Sequence, residues 1–117
     1  MSVQSAAALF AQRVAADVRL LLRVTTVVKT GNYTVTLSDW GKTIEVDSAS
    51  AAAITFPADA VENFPVGWWC DVYWHGAGTT SVAVGSGAAM LPSVTPLRAR
   101  YSTATVRKRA SNSYVVS

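Results

Sequence analysis

A chain of 117 residues, 50% hydrophobic and 15% charged, has room for one domain with one modest core, and its charged share lies below the roughly 25% of ordinary globular chains. The single cysteine, Cys70, and the single histidine, His75, exclude an intrachain disulfide framework, a multi-cysteine zinc site and a histidine-rich metal site, and any Ser-His-Asp relay would have to run through His75. The net charge of +3 is uneven, with five basic and six acidic residues up to Val66, then five basic residues against Asp71 alone; this suits solvated or interface-facing arginines, with nucleic acid as the alternative.

The N-terminal apolar run Ala6–Ala11 has no positive segment before it, so it is not a secretory signal. Arg13, Asp17, Arg19 and Arg23 interrupt the region too often for a membrane span of roughly 20 apolar residues. A soluble, unprocessed chain with no membrane partner is expected. Residues 5–23 read as a helix capped by Ser5 and opened by three alanines, which are strong helix formers. Ala7, Ala11, Val14, Val18 and Leu21 recur at alternating spacings of four and three, the a/d seam of a coiled coil. Phe10, Leu20 and Leu22 make the helix apolar on nearly every side, so it needs cover from several directions, which sister chains can provide. Residues 1–23 are therefore expected to mediate oligomerisation or attachment, and residues 24–117 to form a separate β domain.

From Val24 onward the pattern is β. Val24–Lys29 is β-branched and precedes a turn at Thr30-Gly31-Asn32. Tyr33, Val35 and Leu37 alternate with polar residues, Asp39-Trp40-Gly41-Lys42 turns the chain, and Ile44 and Val46 alternate again. Ala51–Phe56 is a short strand ended by Pro57, and residues 57–66 are a proline-punctuated loop. In Gly67–His75, Trp68, Cys70, Val72 and Trp74 share one strand face while Trp69, Asp71, Tyr73 and His75 share the other. Further strands are expected at Ser81–Val84, Val94–Arg100, Tyr101–Arg109 and Tyr114–Val116, with Gly76-Ala77-Gly78 and Gly85-Ser86-Gly87 as hairpin turns. Many short strands without helix alternation imply a mainly β fold, an antiparallel sandwich or jelly roll.

Catalytic chemistry finds little support. Neither glycine pair opens a helix and no GK[ST] follows, so no phosphate loop is present. The carboxylates lack helical pairing and no calcium loop occurs, which leaves them as solvated turn residues. Asp71 is too far along the strand to orient His75 as a base, and no cofactor is expected. Trp68, Trp69 and Trp74, with Arg98, Arg100, Arg107 and Arg109, remain as the candidate ligand or partner surface, either a stacking platform for sugars or bases or a subunit interface.

The order of short motifs resembles a small β domain of tailed-bacteriophage surface proteins, found in fibres and virion decoration proteins. The resemblance is carried by Tyr33, Val35 and Leu37, then Asp39-Trp40-Gly41-Lys42 with Ile44 and Val46, Ser48-Ala49 and Ile54-Thr55-Phe56-Pro57. Phe64-Pro65-x-Gly67, Gly76-x-Gly78 and Val82-x-Val84-Gly85-Ser86-Gly87 follow. Leu97-Arg98-x-Arg100-Tyr101-Ser102-x-Ala104-Thr105-Val106 and Asn112-x-Tyr114-Val115-Val116 complete it. It implies a homotrimeric, non-enzymatic structural protein at the virion surface that contacts other virion proteins, with the seamed helix as a trimerising stalk. The crowded tryptophans depart from the pattern. The expected role is capsid decoration or head fibre. The alternatives are a tail-fibre or tail-tip protein that binds a host glycan, and a nucleic-acid-binding module.

Overall fold

Alternation of apolar and polar residues, with β-branched residues between turn formers, sets the strands of the domain. The computed structural model describes residues 26–92 and 97–117. Among the described residues the strands are β1 (Thr26–Lys29), β2 (Tyr33–Thr34), β3 (Thr43–Val46), β4 (Ala52–Phe56), β5 (Trp69–Trp74), β6 (Thr80–Val84), β7 (Ala89–Leu91), β8 (Thr103–Ala110) and β9 (Ser113–Val116). A short 3-10 turn covers Leu37–Asp39. The expected helix over residues 5–23, with the seam Ala7, Ala11, Val14, Val18 and Leu21, lies outside the described residues.

The mainly β, two-sheet character agrees with the sequence reading, but the antiparallel connectivity does not. One sheet has the order β1-β3-β5-β8-β9-β7 and the other β2-β4-β6. Five of the seven strand pairings are parallel, so the sheets are mixed. Up to β6 the chain crosses from one sheet to the other at each turn and then returns beside its earlier strand. Parallel neighbours need a long crossover, and here the strand of the opposite sheet supplies it instead of a helix. The result is three stacked turns of a flattened coil. The β8–β9 hairpin then extends the larger sheet, with β8 antiparallel to β5 and to β9.

The expected hairpin turns are corners between sheets. Gly76 N donates to the Val46 carbonyl at 3.0 Å and Gly78 N to the Ser48 carbonyl at 2.8 Å, so this corner rests on the one before it. A Cβ at Gly76 would lie 2.3 Å from Ser48 N, and one at Gly78 2.0 Å from Ser50 O. Only glycine permits backbone to approach backbone this closely. Asn32 joins neighbouring turns in the same way, its Oδ1 accepting from Ala53 N at 2.9 Å. Of the segment read as strand over Val94–Arg100, residues 93–96 lie outside the described residues and Ala99–Ser102 is a turn closed from Ser102 N to the Ala99 carbonyl at 3.1 Å.

The core lies between the sheets. Val35, Ile44, Val46, Ile54, Phe56, Phe64, Trp68, Cys70, Val72, Val106 and Tyr114 are fully enclosed. Inward residues align across the larger sheet, Ile44 opposite Val72, Val72 opposite Ala104, and Cys70 opposite Val106. Trp68 stacks on Phe64 at 4.2 Å between ring centroids and meets Phe56 edge-on at 6.1 Å. Such aromatic pairs add to the burial of apolar area that stabilises the domain.

Candidate functional site: an apolar row and an aromatic turn

The tryptophans of residues 68–74 divide between the inward and outward phases of β5 and the residue that leads into it. Trp68 and Trp74 face inward, so they cannot join Trp69 in one ligand platform. Trp68 is fully buried and its Nε1 donates to the Leu37 carbonyl at 3.2 Å. Trp74 is half-buried against the core and donates to the Gly76 carbonyl at 2.9 Å. Period two on a strand that starts beside a buried Trp68 leaves Trp69 pointing out.

Trp69 begins a row across the outer face of the larger sheet. It stands opposite Arg107, Arg107 opposite Val115, and Val115 opposite Leu91. Trp69 is 39% exposed and Leu91 46%. A hollow of about 210 Å³ is lined by Trp69, Thr105, Arg107, Val115, Val116 and Ser117. Gly41, at φ +75°, lets the preceding turn close on this row, its N–H donating to the Trp69 carbonyl at 2.7 Å. Trp40 beside it is 48% exposed.

The four arginines fall at the two ends of β8. Arg107 and Arg109 are on its outer face near the far end, whereas Arg98 and Arg100 precede its start; Arg107 stands opposite Trp69 while Arg100 bonds to His75, roughly 20 Å further along that neighbouring segment. They do not form one basic stripe. Arg100 belongs to a second cluster. Its Nε donates to the His75 carbonyl at 2.8 Å and its guanidinium lies 4.9 Å from the centre of the Tyr101 ring. His75 meets Tyr101 edge-on at 5.8 Å, and its Nδ1 is 3.2 Å from the Tyr73 hydroxyl. The strand-end reading of His75 therefore holds for its place, but its neighbours are aromatic.

Two polar centres escaped the sequence reading. Lys108 is buried, with Nζ 2.5 Å from Asp59 Oδ1 and 3.2 Å from the Phe64 carbonyl. Asp59 also accepts from Ser111 Oγ at 2.7 Å and Asn112 N at 3.2 Å. The hydrogen bonds from Lys108 and then Ser111 hold the Asp59 carboxyl below its ordinary range. Asp39, expected in solvent, is buried and accepts from the Tyr33 hydroxyl at 2.6 Å and Thr36 N at 2.8 Å. Burial, then the Asp39 contact, pushes the Tyr33 phenol up to about 12. Burial pushes Tyr114 up to about 12, and its hydroxyl donates to the Pro57 carbonyl at 2.6 Å. Burial likewise raises the Cys70 thiol, so the residue is an inert core member.

Both carboxylates thus serve local architecture: Asp59 ties the 57–66 loop to the β8–β9 hairpin, and Asp39 closes the 3-10 turn. The outer row and the aromatic turn are left as surfaces for contact. No family model, curated protein or solved structure matches the chain.

Proposed function

We propose that this protein is a non-enzymatic structural component of a tailed-bacteriophage virion, a homotrimer on the particle surface that serves as capsid decoration or head fibre. The observation that carries the reading is the apolar row on the outer face of the larger sheet. A solvated sheet face is ordinarily polar. Here Trp69, Val115 and Leu91 cross it with Arg107 among them, and Val28 of β1 is also exposed. Such a face suits cover by another chain. Sister copies around a three-fold axis would repeat one contact and close the assembly. The seam Ala7, Ala11, Val14, Val18 and Leu21 and the motif order described above favour the same arrangement.

The test is the mass of the full chain in solution by light scattering, together with imaging of particles that carry a tagged copy. Three chains per assembly and label on heads are expected. Replacing both Trp69 and Leu91 by glutamate is expected to dissociate the assembly while circular dichroism stays native. A stable monomer that never co-purifies with particles would overturn the reading.

A further inference from the structure

The geometry points to a binding site for an acidic saccharide, a sugar ring that bears a carboxylate, on the turn that joins Ala99 to β8. The first ground is backbone strain. Tyr101 has φ +73° and is the third residue of the turn closed between Ala99 and Ser102. Positive φ at that position alone marks a type II turn, where glycine or asparagine is ordinary and an aromatic residue is costly. Ser102 Oγ and the Trp74 carbonyl hold the turn, the first donating to the Ala99 carbonyl at 2.5 Å and the second accepting from Tyr101 N at 2.7 Å. The chain thus keeps a strained tyrosine whose side chain is 59% exposed. Strain retained at an exposed side chain is a mark of function.

The second ground is what surrounds that ring. The Arg100 guanidinium lies over one side of the Tyr101 ring, and the C–H side of a sugar would pack on the other. Arg100, anchored through Nε on the His75 carbonyl, has its remaining guanidinium donors suited to a carboxylate. The Tyr73 hydroxyl and His75 Nδ1 are joined at 3.2 Å, which leaves the second hydroxyl lone pair and His75 Nε2 for ring hydroxyls. Glu45 stands directly opposite Tyr73 in the sheet and adds a hydroxyl acceptor. One guanidinium suits a ligand with a single negative charge and many hydroxyls. It suits a nucleic-acid backbone poorly, since successive phosphates would find a single guanidinium as partner. The site does not depend on the virion role proposed above.

The test titrates the full chain with D-glucuronic acid and a glucuronate-terminated oligosaccharide, with D-glucose and a short oligothymidylate for comparison, read by chemical-shift changes and calorimetry. Saturable millimolar binding of the glucuronates is expected, about tenfold weaker for glucose and for the Arg100→Gln variant. Tyr101→Gly separates ligand from architecture, because glycine relieves the strain while removing the ring. It is expected to lose binding with an unfolding midpoint no lower than that of the parent. Absence of saturable glucuronate binding, preference for oligothymidylate, unchanged binding in Tyr101→Gly, or a lowered midpoint in that variant would each overturn the proposal.

Discussion

Lys108 stands between Arg107 and Arg109 and points the opposite way. It is in phase with Ala104 and Val106, so the strand that buries those residues must bury its stem as well. The buried ammonium is tolerated because Asp59 and the Phe64 carbonyl receive it. Removing the carboxylate leaves an uncompensated charge inside, so Asp59→Ala is expected to lower the thermal midpoint by on the order of 10 °C. Lys108→Met, which keeps the volume and removes the charge, is expected to be much milder. The lowered Asp59 carboxyl also sets an acid limit. Its stabilising contribution is present above its unfolded value of 3.8 and is lost as pH falls through the lower folded value. Midpoints measured across acid pH should therefore drop below about 4 and flatten in Asp59→Asn. The tyrosines set an alkaline limit of opposite sense. Tyr33 and Tyr114 keep their protons up to about 12 when folded but lose them near 10.0 when unfolded, so stability should decline as pH rises between those values. The raised Cys70 thiol should resist alkylation in the native protein and react once denaturant opens the core.

Strands and their faces were legible because period two is a local signal. The phase of Gly67–His75, the 57–66 loop and the extents of β3, β4 and β9 all follow from alternation and punctuation. Strand direction was not legible. A turn such as Thr30-Gly31-Asn32 has the same residues whether it reverses a hairpin or bends the chain into a second sheet, and only the distant partner decides. The partner of Gly78 is Ser50, and the partner of Asn32 is Ala53. β7 was missed because Ala89-Met90-Leu91 is too short to alternate. The buried carboxylate Asp39 was missed because its partner Tyr33 belongs to another element. Lys108 could have been found, since it continues the inward series of β8. The contact site was legible in part: the outward phase of Trp69 was visible, but its neighbours Val115 and Leu91 come from pairing that no local pattern encodes. The stacked corners carry their own prediction. Gly78→Ala drives a methyl into the Ser50 backbone, which cannot yield as a side chain would, and should cost about 3 kcal/mol or more in denaturant unfolding.

At the scale of the molecule, both sheets share one core, so the domain should unfold in one transition, with tryptophan fluorescence and far-ultraviolet circular dichroism coinciding. If sister copies cover the outer row, association stabilises only the native state, and the midpoint should rise with protein concentration. The stacked coil has one more consequence. Each turn hydrogen-bonds to its neighbours through backbone groups that any further turn would also present, as β3 does between β1 and β5. The architecture is therefore extensible in whole steps. A duplicated segment spanning residues 43–68, spliced in before β5, would lengthen the domain by about 4.8 Å and leave the C-terminal hairpin its original docking edge.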